Sequence, residues 1–179
     1  YWMIVDELQS SDCHDYQVLF HTVPEVTAQV RPGNKVILSA APEAASLHIV
    51  PADRSNVRVS CISGSKSPIQ GWYSPSSHDK APAAAIIYEK MNSASTVIST
   101  LLYPSSGGRS GDEVSIEPLT VDGRGLAFAV NTYRGCDYLL FAHDGDRKQF
   151  GPFESMGTVA AVCTDKEGNI LSRFEGHSI

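Results

Sequence analysis

At 179 residues the chain is long enough for one domain with a sizeable core. Its 42% apolar and 19% charged content excludes wholesale disorder, and Ser, Gly and Pro interrupt every uncharged stretch that could otherwise suggest a membrane span. A net charge of −6 opposes general nucleic-acid binding and would repel an acidic polysaccharide unless a local cationic patch intervened. No dense Lys/Arg cluster supplies one.

The chain opens Tyr-Trp-Met-Ile-Val-Asp, without an initiator Met or a secretory signal. An apolar strand at residue 1 reads as a piece of a longer polypeptide. From there the dominant period is two. Alternation predicts strands at 1–8, 16–23, 46–50, 57–62, 85–89, 95–103, 113–119, 125–130, 137–142, 158–163 and 170–174. Gly, Pro, Asn, Asp and Ser separate them. Only 81–91 leans toward helix by composition, and Pro82 with Ile86-Ile87-Tyr88 favours a strand there too.

Between the last two runs, Asp165-Lys166-Glu167-Gly168-Asn169 predicts a hairpin with Gly168 at positive φ. Loops are expected at 74–80 and at the glycine-rich 104–112. About eleven short strands with tight turns predict an all-β, antiparallel sandwich of the supersandwich kind, taken as one domain over 1–179.

Cys13, Cys61, Cys136 and Cys163 form no CxxC pair and imply no disulfide framework. Free thiols are expected, with Cys61 and Cys163 buried in apolar runs.

His14 and His21 bracket an apolar run. Seven residues apart on one strand, they would face opposite ways and lie roughly 23 Å apart at ~3.3 Å per residue. Two ligands of one metal must each sit within about 2.1 Å of it, so this pair cannot share one. Both read as strand-end residues. His48 reads as packed, and His78, His143 and His177 as solvated. No Gly-x-Ser-x-Gly elbow, HExxH or Walker loop occurs, and neither Asp6-Glu7 nor Asp112-Glu113 forms a pair suited to acid–base work. Trp72 and Tyr73 carry two readings: sugar-stacking aromatics, or packing residues with Trp72 anchoring the core.

Several of these pieces recur in one order. They are Tyr-Trp-Met-Ile-Val-Asp-Glu at 1–7, His14 with Tyr16, Phe20-His21-Thr22-Val23-Pro24, and Gly71-Trp72-Tyr73-Ser74. Thr100-Leu101-Leu102-Tyr103-Pro104, Asp137-Tyr138-Leu139-Leu140-Phe141 and the 165–171 hairpin follow. The series resembles the C-terminal β-sandwich of heparinase II/III-like polysaccharide lyases.

That resemblance implies a parent lyase with an upstream α/α toroid, cleaving uronate-containing glycans such as glycosaminoglycans or alginate by β-elimination. In such enzymes a Tyr or His removes the proton beside the carboxylate, and Asn, His or Arg stabilises the anion. Most of those groups belong to the helical domain. The sandwich's own catalytic histidine and His/Asp/His metal set precede the segment matched here. No catalytic residue, metal ligand or cofactor is therefore carried over, while a divalent metal remains available to the parent.

The expected partners are the toroid and an acidic polysaccharide, with neither nucleic acid nor membrane. Self-association through exposed sheet edges is also expected. The family's substrates favour a periplasmic or secreted location. The rival reading is a non-catalytic carbohydrate-binding module using Trp72, Tyr73, His21 and the 74–80 loop. A purely structural adhesion or scaffold sandwich is a third.

Overall fold

The computed structural model describes residues 1–42, 44–53, 57–106 and 114–177. Strand accounts for 64% and helix for 2%, and the ladders are antiparallel, as the period-two alternation requires. Most of the expected 104–112 loop, the Asp112-Glu113 pair and the first residue of the 113–119 strand lie outside the described residues. By density of contacts the chain divides into two compact units, Tyr1–Gly111 and Asp112–Ile179.

The first unit contains two principal sheets. One has five strands: β1 (Trp2–Leu8), β12 (Thr96–Ser105), β5 (Ser46–Pro51), β4 (Lys35–Ser39) and β3 (Thr27–Arg31), in that spatial order. The other has three: β2 (His14–His21), β11 (Ala84–Ser93) and β6 (Arg58–Ser63). Alternation along β11 turns Ile86 and Tyr88 toward the first sheet. They meet Val36 of β4 and Ile49 of β5, with Val18, Phe20, Ala28, Leu38 and Leu102 packed around them. Tyr88 is fully buried, and its hydroxyl donates to the Asn34 and Ile49 carbonyls at 2.9 and 3.3 Å. One phenol thus links the two sheets. Two short ladders complete the unit, β7 (Ser65–Lys66) with β8 (Ile69–Gln70) and β9 (Trp72–Tyr73) with β10 (Ala81–Pro82).

The second unit is a five-stranded sheet ordered β13 (Ser115–Leu119), β14 (Gly125–Thr132), β15 (Gly135–Ala142), β18 (Val159–Asp165), β19 (Ile170–Gly176). A hairpin of β16 (Lys148–Phe150) and β17 (Phe153–Ser155) covers one face. Buried Phe150 packs on Ala127, Leu140, Ala160 and Val162, and Phe153 meets Tyr138 edge-on at 5.1 Å between centroids. Lys148 is almost fully buried, and its ammonium lies 2.8 Å from Asp144 Oδ1.

All eleven strands expected from the sequence form, with ends displaced by up to four residues. Among the described residues eight more join them, six of only two or three residues. The Asp165–Asn169 turn forms with Gly168 at φ 86°, and Asp165 Oδ1 accepts the Glu167 and Asn169 N–H groups. All four cysteines are free. Cys61 is exposed and Cys163 only partly buried, correcting their expected burial: Val57 and Val59 of the same run reach the core, whereas Cys61, although paired with Ile86, does not.

Three carboxylates of the second unit have lowered pKa values. The Lys148 side chain holds Asp144 down, the Asn169 amide holds Asp165 down, and the Ser155 hydroxyl holds Glu175 down. Their folded values lie below the ordinary 3.8 for Asp and 4.5 for Glu. The stabilisation is therefore complete above those values and is lost as pH falls through the lower folded ones. The urea midpoint should drop between about pH 6 and about pH 3, with Asp165→Asn narrowing the difference. Equal midpoints at the two pH values would contradict this linkage.

Candidate functional site

The three residues singled out for sugar contact, His21, Trp72 and Tyr73, lie at the same end of the three-stranded sheet. His21 closes β2 opposite Ala85, near the start of β11, and Ala85 also faces Ile62 near the end of β6. Gly71 fastens the Trp72–Tyr73 strand to this end. Its carbonyl accepts the Gly64 N–H at 2.8 Å and the Ala83 N–H at 3.0 Å. Next along, Thr22 Oγ1 and the Thr22 N–H both bond the Ala84 carbonyl.

Gly71 has φ 75°, and a methyl group there would press on the Ile62 carbonyl oxygen and come within 2.7 Å of Ser63 Cα. Only glycine permits that approach. The sequence signal Gly-Trp-Tyr is thus a backbone requirement followed by two aromatics.

Trp72 is half-buried, with its indole N–H donating to the Ser65 carbonyl at 2.7 Å. The Lys80 ammonium lies over the ring, 4.8 Å from its centroid. The polar edge is therefore engaged by the protein and one face carries a cation. Tyr73 and His21 are exposed. The 74–80 loop is held from within: Ser74 Oγ donates to the Ser76 and Asp79 carbonyls, and Ser76 Oγ donates to Asp79 Oδ2. Lys80, at its end, belonged to the loop expected to contact a glycan but was not singled out within it. Its only advance signal was membership of that loop.

Beside this end, the outer face of the three-stranded sheet forms an open groove of about 340 Å³ beneath the β7–β8 hairpin. That is near the lower limit of ligand-sized pockets, roughly 300–1,000 Å³. Ser60, Ile62 and Ile87 form its floor, with Pro68 and Ile69 on the hairpin side. Gln17 Nε2 donates to Glu89 Oε1 at 2.7 Å along one wall. These residues escaped the sequence reading because neighbours on three strands meet only once the register is set.

The histidines occupy separate places. His14 and His21 are the first and last residues of the unbroken strand β2, on opposite faces by parity. His14 meets Tyr16 edge-on at 6.0 Å. His48 is buried in β5, its Nε2 3.0 Å from Ser46 Oγ and its ring edge-on to Tyr103. His78, His143 and His177 are exposed. Among the described residues no three His, Cys, Asp or Glu side chains are grouped to hold a metal.

Residues 1–116 match the family model described as Heparinase II/III-like, C-terminal. The chain belongs to that family. The heparinase II/III-like match spans the whole Tyr1–Gly111 unit and ends at Ile116 in β13. His21, Trp72, Tyr73, Lys80 and the groove all lie inside it. No curated protein matches the chain. Within the heparinase II/III-like region, this end of the three-stranded sheet carries the exposed His21, Tyr73 and Lys80.

Proposed function

We propose that this chain is the C-terminal sandwich portion of a polysaccharide lyase that cleaves uronate-containing glycans by β-elimination. By itself it supports the substrate cleft without performing the cleavage. The family match over 1–116 carries this reading. β-Elimination needs a base beside the proton on the carbon bearing the carboxylate, together with fixed groups to hold the resulting anion. The four histidines of the matched region are dispersed, at the two ends of β2, inside β5 and in the 74–80 loop. An upstream α/α toroid supplies the missing groups, and a divalent metal belongs to that larger parent.

A second reading, in which the sandwich also touches the glycan, is favoured by the Lys80 ammonium on Trp72. A cation beside an aromatic ring suits a uronate, whose carboxylate and apolar ring face need both. Trp72, Tyr73 and His21 would then be contact residues at the cleft wall.

The decisive experiment incubates the 179-residue chain and its full-length parent separately with glycosaminoglycan and alginate substrates. Unsaturated product is followed by ultraviolet absorbance. The parent should turn over and the chain should not; cleavage by the chain alone would sink the proposal. Glycan binding by the chain should weaken in Trp72→Ala while the fold is retained. If that variant instead loses about 3 kcal/mol or more, Trp72 is a packing residue and the contact reading fails.

A further inference from the structure

Among the described residues, strand β19 is the outermost strand of the second unit's sheet, paired with β18 on one side. An outer strand presents unpaired N–H and C=O groups, and natural sheets normally blunt such an edge with Pro, charge or brevity. The opposite edge follows the rule: β13 is five residues long and contains Pro118. β19 does not. It runs seven residues without proline and leaves Ile170, Leu171 and Phe174 55%, 64% and 58% exposed.

The register of β19 specifies what could pair with it. Arg173 and Glu175 lie opposite Val162 and Ala160, on the face covered by the β16–β17 hairpin, and Phe174 lies opposite Ala161 on the other face. A second copy adding across a two-fold axis normal to the sheet must set each residue against one of the same face. The axis therefore centres on a residue facing its own copy. Centring on Arg173 or Glu175 opposes like charges. Centring on Ser172 sets Arg173 against Leu171, the extra residue at which the register of β19 shifts and regular alternation is lost. Centring on Phe174 stacks the two Phe174 rings and places Arg173 opposite Glu175 twice.

We propose that β19 is a self-complementary edge through which two copies of this chain join antiparallel, Phe174 against Phe174 and Arg173 against Glu175. The two five-stranded sheets then continue as one. The occupant is a second copy because the sequence around Phe174 is its own charge complement. Within one chain Arg173 Nη2 already donates to the Glu154 carbonyl at 2.6 Å and lies 3.8 Å from Glu175 Oε2. Both side chains are thus held on the face where the partner's opposite charges arrive. This assembly is independent of whether the chain serves a lyase.

Sedimentation of the 179-residue chain over a concentration series tests it. The native chain should form a concentration-dependent dimer. Arg173→Glu alone and Glu175→Arg alone should each weaken association by about tenfold or more, since each sets like charges across both ends of the seam. An equimolar mixture of the two variants should recover association, because the mixed pair again opposes unlike charges. That recovery also shows that neither variant has merely failed to fold. A native chain that stays monomeric at the highest attainable concentration overturns the proposal. So does a dimer indifferent to both reversals, or a mixture that fails to associate.

Discussion

Tyr88→Ala should lower the unfolding free energy of the chain by about 3–5 kcal/mol, the cost of deleting a fully buried aromatic ring. The ring lies between the two sheets of the first unit, edge-on to Phe20 with 6.1 Å between centroids. Truncation leaves a cavity bordered by Val36, Ile49 and Ile86. Tyr88→Phe separates the ring from its hydroxyl. It keeps the packing but strips the donor from the Asn34 and Ile49 carbonyls, at an expected cost of about 1–2 kcal/mol. Burial raises the phenol pKa well above its usual 10, so the proton stays in place as a donor at any ordinary pH. Urea unfolding of the two variants measures both values. A loss below about 1 kcal/mol for the alanine variant would refute the placement of Tyr88 as the inter-sheet link.

The second large effect is expected at Gly71, where a methyl group meets two obstacles together. Its backbone lies in the left-handed region at φ 75°, and the added carbon would collide with the Ile62 carbonyl and Ser63 backbone. Gly71→Ala should cost about 3 kcal/mol or more, because backbone on both sides must move. The displacement should also pull the Trp72 indole from the Ser65 carbonyl, shifting tryptophan fluorescence toward the red.

Two other glycines separate the causes. Gly168 has φ 86° with nothing near a prospective methyl, so Gly168→Ala isolates backbone strain at about 1 kcal/mol. Gly145 has neither feature, and Gly145→Ala should stay within about 0.5 kcal/mol of the native chain. If all three variants lose the same stability, close approach is not what fixes the Trp72 strand.

Much of the fold could be read along the chain because its signals are local. Asp165 to Asn169 carry their own turn chemistry and became the predicted turn; 125–130 became the predicted strand, although Ala127 to Val130 are all buried rather than alternately so. Strands β3 and β4 were less legible. Val36-Ile37-Leu38 is an unbroken apolar run without alternation, whereas Thr27-Ala28-Gln29-Val30-Arg31 alternates cleanly but is only five residues long. The Pro32-Gly33-Asn34 turn between them, with both Gly33 and Asn34 at positive φ, was the signal available. The six shortest strands are hydrogen-bonded fragments of loops and leave no periodic trace.

The candidate site divides the same way. Gly-Trp-Tyr and the strand-end His21 were visible as residues, and the family likeness followed from their order. Lys80 over Trp72, the Gln17–Glu89 wall and the facing of Arg173 with Glu175 were not.

What the sequence determined by itself was the all-β class, most strands, the Asp165 turn and the heparinase II/III-like likeness. Each rests on residues within a few positions of one another or on their order along the chain. Only the tertiary structure decided that His21, Trp72 and Lys80 share one sheet end, that Cys61 is exposed, and that β19 is left at the rim. Those facts depend on which strands pair and in what register, and that choice is made by cores such as Ile49, Ile86 and Tyr88, whose members are tens of residues apart.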